Sequence, residues 1–110
     1  MSAPVAGGGA ARDVRIVLPH QLRALASVAG EVAVEVTPPV TLGAVLDALE
    51  AAHPVLRGTI RDRASGRRRP MIRVYAGGDD LTDAPVDTPL PERLLDGHEP
   101  LRLVGAIAGG

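Results

Sequence analysis

The sequence predicts an α+β domain: a mixed sheet of four to five strands with one main helix packed on one face. Three observations carry this reading. Apolar residues alternate at period two in several short runs. One central run instead keeps the i, i+3, i+4, i+7 spacing of an amphipathic helix. The chain has 110 residues, enough for one hydrophobic core.

The first strand is DVRIVLP, Asp13 to Pro19. Val14, Ile16 and Leu18 fall on one side, Arg15 and Val17 on the other, and Pro19 stops the pairing. HQLRALASVAG follows. Leu22, Leu25, Ala26 and Ala29 allow about two loose helical turns, but the segment reads mostly as a wide loop closed by Gly30. EVAVEVT, Glu31 to Thr37, alternates cleanly and is a second strand antiparallel to the first. The helix begins at the N-cap Thr41. It buries Leu42, Val45, Leu46 and Leu49, and ends at His53 before Pro54. VLRGTIRD reads as a short helical turn carrying Leu56 and Ile60 inward, and RASGRRRP as a polar loop. MIRVYAGGDDL is a strand, a Gly-Gly turn and a stub of strand at Asp80 to Thr82. A proline-rich connection with an apolar turn (Leu90, Leu94, Leu95) and an Asp96-Gly97 turn leads to a last strand from Leu101 to about Val104. The first and last strands become central neighbours.

Composition narrows the chemistry. Tyr75 is the one aromatic residue, so the core is aliphatic and stacking on nucleic-acid bases is nearly excluded. A net charge of −1 demands neither nucleic acid nor a membrane surface. There is no Cys, which removes thiolate metal sites and thiol nucleophiles, and no Lys, which removes Schiff-base chemistry. No apolar run approaches the ~20 residues of a membrane helix. MSAPVAGGGAARD lacks the features of a secretory signal. Residues 1–12 are expected as a disordered arm, 13–105 as the folded domain and 106–110 as a flexible tail, in a cytoplasmic protein.

VRIVLPHQLRALA, VTLGAVLDALEAAHPVLRGTIRD, VYAGGDDL and LLDGHEPLRLVGAIAGG, taken together in this element order, resemble the MoaD/ThiS family of ubiquitin-like (β-grasp) sulfur carrier proteins. The similarity spans about Val14 to Gly110, and the terminal AGG is its most specific part. The resemblance implies a protein co-substrate rather than an enzyme. A ubiquitin-activating-type adenylyltransferase would use ATP to convert the Gly110 carboxylate to an acyl-adenylate. A sulfur donor, a sulfurtransferase or cysteine desulfurase, would then leave a thiocarboxylate. A sulfur-accepting synthase would consume it in molybdenum cofactor, thiazole, cysteine or related biosynthesis. The chain itself would bind no cofactor. LVGAI before AGG stands where many molybdopterin-type carriers place one or two prolines, and the longer RDRASGRRRP middle looks more like the longer carriers, including those feeding cysteine synthases.

Physical chemistry fits those residue types to the task. The α-carboxylate of Gly110 is ionised at neutral pH and is a competent nucleophile toward ATP. Gly109 and Gly110 lack a Cβ and tolerate any φ, so a partner's channel closes around them, and Ala108 keeps the approach slim. A terminal Gly-Gly arises by chance in roughly one chain in 70 of this glycine content, so the motif gains its weight from the fold around it. Two rival functions remain: a ubiquitin-like modifier joined to target lysines through Gly110, and an inert β-grasp interaction domain.

If Val14, Ile16, Ile72, Val74, Leu101 and Leu103 face the helix, alternation puts Arg15, Val17, Arg73, Tyr75, Arg102 and Val104 on the other face. That face is expected to dock the partner enzyme, with Tyr75 as anchor and the arginines meeting acids. Arg67, Arg68 and Arg69 read as a solvated basic loop, with a docking contact as the alternative. Asp79 and Asp80 read as a hairpin turn without the further oxygen ligands of a calcium loop, and His20, His53 and His98 lack metal spacing. No metal site is expected.

Overall fold

The structure, a computed structural model, describes residues 10–105. Residues 1–9 of the expected arm and the whole of the expected tail, 106–110, lie outside the described residues.

Five strands form one mixed sheet: β1 (Arg12–Val17), β2 (Glu31–Val36), β3 (Ile72–Ala76), β4 (Asp79–Asp80) and β5 (Leu101–Gly105), in the order β2-β1-β5-β3-β4. β1 and β2 are antiparallel, with Asp13 opposite Glu35 and Val17 opposite Glu31. β5 lies parallel to β1, Val17 beside Arg102, and antiparallel to β3, Gly105 beside Ile72. The last strand therefore occupies the centre of the sheet.

The main helix, α2 (Leu42–Ala52), crosses one face. The Thr41 hydroxyl accepts from the Ala44 N–H at 3.1 Å, satisfying one of the free amides of its first turn. Leu42, Val45, Leu46 and Leu49 enter the core against Val14, Ile16, Val74, Leu101 and Leu103. Leu49 is fully buried, a contribution of about 1.5–3 kcal/mol in transfer free energy. A short 3-10 turn at Pro54–Leu56 follows, and Leu56 and Ile60 are completely covered.

Two elements differ from the sequence reading. His20–Ala26 is a true helix, α1, rather than mostly loop. The Pro19 carbonyl accepts from the Leu22 and Arg23 amides, both at 3.0 Å. Ser27 closes the helix in the left-handed region (φ 59°), a role usually given to glycine, three residues before Gly30. The second strand of the β3–β4 hairpin is Asp79–Asp80, not Asp80–Thr82. The buried Thr82 ends it: its hydroxyl takes the Val74 N–H at 3.0 Å, replacing a backbone partner.

Candidate functional site

β5 carries the chain out of the sheet at Gly105, flanked by β1 on one side and β3 on the other. A Cβ on Gly105 would stand 3.3 Å from both Pro19 Cβ and Gln21 Nε2, so the exit is packed against the start of α1. A shallow groove of about 310 Å³ runs beside it, lined by Val17, Pro19, Arg23, Arg102 and Val104 among others. Ala108, Gly109 and Gly110, the expected reactive tail, lie outside the described residues.

The six expected docking residues do share the face opposite α2. Their helix-side neighbours Val14, Ile16, Ile72, Val74, Leu101 and Leu103 are all buried, and alternation turns the six outward. Strand register sets them in rows. Val17, Arg102 and Tyr75 are successive cross-strand neighbours, and Arg73 stands beside Val104. Val17 and Tyr75 are half-buried and Val104 is exposed.

The arginines of this face are not equivalent. Arg15 is already engaged, donating to Glu31 at 2.9 Å, while its Nε is buried without a partner. Arg73 and Arg102 are exposed and make no side-chain hydrogen bond or ion pair among the described residues. Asp80 borders Tyr75 on the same face. Hydrogen bonding to Thr82 holds its carboxyl below the usual carboxylate range, with a smaller contribution from the charge of Arg73.

Five large apolar side chains are exposed among the described residues, two of them beside the exit. Val104 precedes the exit and Met71 precedes Ile72, the partner of Gly105. Leu25 lies on α1 and Val55 on the 3-10 turn that packs against α1. Val86 lies against the first turn of α2. Sequence alternation found Val104. The exposure of Met71, Leu25 and Val55 depends on tertiary packing, which no local pattern encodes.

Two of the three arginines of the basic triplet do more than stand in solvent. Arg68 donates to the carbonyls of Thr82 (2.8 Å) and Ile72 (2.7 Å), and Arg69 to that of Gly58 (2.6 Å). Both fasten loops, and Arg67 alone is exposed with no side-chain partner among the described residues. Among the described residues no cluster of His, Asp and Glu is placed to hold a metal. None of the described helices is long and apolar enough to cross a membrane.

A five-stranded mixed sheet with a parallel central pair and one main helix across it defines a ubiquitin-like, β-grasp protein. No family description matches the sequence, and no curated protein matches it. Solved structures do. SAMP1 from Haloferax volcanii superposes with a TM-score of 0.70 at 26% identity, covering 89% of this chain and 99% of that one. The small archaeal modifier protein 1 of Methanosarcina acetivorans gives 0.70 at 18% identity, over 93% and 100% of the two chains. A chain of the Amycolatopsis orientalis BexX/CysO complex gives 0.68 at 18% identity, over 88% and 99%. These neighbours share the ubiquitin-like β-grasp fold and are consistent with the MoaD/ThiS-type family that the sequence resembles.

Proposed function

We propose that this chain is a cytoplasmic sulfur carrier that acts through the Gly110 carboxylate. The carboxylate attacks the α-phosphorus of ATP in the site of a partner adenylyltransferase, releasing pyrophosphate. The terminal sulfur of a persulfide on a sulfurtransferase or cysteine desulfurase then displaces AMP to give an acyl disulfide, and a second thiol of the donor cleaves its S–S bond, releasing the thiocarboxylate and leaving a disulfide on the donor. A synthase withdraws that sulfur for a cofactor or metabolite, molybdopterin or cysteine being the two classes the sequence favours. The chain is a co-substrate throughout and holds no cofactor of its own.

One observation carries this reading. The AIAGG segment follows directly on a central strand in a fold that matches nearly the full length of SAMP1. Docking the folded body raises the effective concentration of such a tail at a partner's active site. The open face supplies the body contact: Tyr75 and Val104 as apolar anchors, Arg73 and Arg102 as free cations for partner acids.

Intact mass spectrometry of the protein from its native cell tests the reading. A thiocarboxylate adds about 16 Da, and an alkylating probe separates it from oxidation because no Cys competes. Deleting Gly109 and Gly110 is expected to abolish loading completely, and pathway function retained without them sinks the proposal.

The likeness to proteins named small archaeal modifiers favours a second reading, in which Gly110 becomes amide-linked to target lysines. Immunoblots of native lysate discriminate. High-mass conjugates that vanish with the Gly-Gly deletion favour the modifier.

A further inference from the structure

The two edges of the sheet are built differently. β4 is two residues long, too short to template a partner strand. β2 is six residues long with no proline or glycine inside it. The direction of its free backbone follows from one contact. The Asp13 carbonyl accepts the Asp96 N–H at 2.7 Å, so the Asp13 backbone points away from β2. Asp13 and Glu35 are therefore a non-hydrogen-bonded pair, as are Arg15 with Ala33 and Val17 with Glu31 in the same register. The N–H and C=O groups of Glu31, Ala33 and Glu35 point out of the sheet, and nothing among the described residues pairs with them.

Charge selects what fits there. Asp13 and Glu35 stand directly opposite each other on the open face, like charges at the closest cross-strand spacing, and neither carboxylate has a partner among the described residues. Glu31 adds a third acid, shared with Arg15. Fully overlapped antiparallel pairing of β2 with a second copy sets Ala33 opposite Ala33 and Glu31 opposite Glu35 twice, which repels. On the other side α2 turns Asp47 and Glu50 toward Arg61 and leaves Ala44, Ala48 and Ala52 on its opposite flank.

We propose that β2 is a second docking surface, which accepts an extended partner segment as a sixth strand, with Arg or Lys on the open-face positions opposite Glu31 and Glu35 and small apolar residues between. Main-chain bonds supply affinity and the acids choose the partner. The surface is separated from the β5 exit by β1, so both are available at once. It does not depend on what chemistry the tail performs.

The test is a titration of the isotope-labelled full chain with a synthetic peptide of alternating Arg and Val, and with its Glu–Val counterpart. The Arg peptide is expected to slow amide exchange at Glu31, Ala33 and Glu35 and to leave Gly105 unchanged. Ala33→Pro removes only an outward N–H, so the β1–β2 ladder survives and protection disappears. Glu35→Arg leaves the backbone intact and weakens binding about tenfold. Deleting Gly109 and Gly110 changes nothing here, which separates this proposal from the carrier reading. Equal binding of both peptides, binding that survives Ala33→Pro, or dimerisation through β2 overturns it.

Discussion

Arginine does opposite work in two regions of this molecule. In the connecting loops it is a clasp. Arg61 joins Glu50 and Asp47 of α2 to the loop after it, with only 15% of its side chain exposed. Arg93 ties the β3–β4 turn to the approach to β5 through Ala76, Asp79 and Glu99, and Arg12 holds Asp96 and Glu92. Around the β5 exit, Arg73 and Arg102 stand without such partners among the described residues. A guanidinium whose donors meet protein acceptors holds structure, and one exposed without such partners keeps its donors in water. Residue type alone does not separate the two; neighbours do.

Substitutions at the two kinds of site sharpen the contrast. Arg61→Ala carries the largest expected stability loss, because Glu50, itself only 16% exposed, loses its cation. A loss of about 2 kcal/mol is expected, seen as a melting temperature lower by about 10 °C. Affinity for the proposed adenylating partner is expected to stay unchanged in that variant. Arg73→Glu reverses the pattern: partner affinity, read by calorimetry, falls about tenfold while the melting temperature holds. Unchanged affinity removes the open face from the docking surface. A variant that loses both properties erases the distinction between the regions.

The smallest effect concerns acid. Hydrogen bonding to Arg12 holds the Asp96 carboxyl below its ordinary value of 3.8. A group depressed in the folded state stabilises above its unfolded value, and that contribution disappears as pH falls through the folded value. Asp62 and Asp80 are lowered in the same direction, chiefly by hydrogen bonds to Ser65 and Thr82. Stability is thus flat near neutrality and declines below about pH 4. Asp96→Asn is expected to make that decline shallower in thermal melts taken between about pH 2 and 7. An unaltered acid limb shows that the Arg12 clasp is spent on solvent.

The elements legible in the sequence are those whose reason is local. Alternation gave β1, β2, β3 and β5, and the helical stripe with its Thr41 cap gave α2, because side-chain period follows directly from backbone geometry. Burial of Leu90, Leu94 and Leu95 was legible from the same apolar spacing. α1 was not. It buries Leu22 alone, has no side-chain cap, and ends on a left-handed serine, so its stability comes from contacts with distant segments. The clasps of Arg68 and Arg69 were equally hidden, since their acceptors are backbone carbonyls four to fourteen residues away. For the site, alternation put six residues on one face, but it did not reveal that Arg15 is occupied by Glu31 while Arg73 and Arg102 are free.

The position of β5 has a mechanical consequence. It is bonded to β3 along its whole length, Leu101 to Gly105, and to β1 through its first residues, Leu101 and Arg102. A pull directed along the axis of β5 loads those two ladders in shear, so several hydrogen bonds must yield together instead of opening one after another like a zip. A tail gripped by a partner can be tugged free without the strand behind it peeling away.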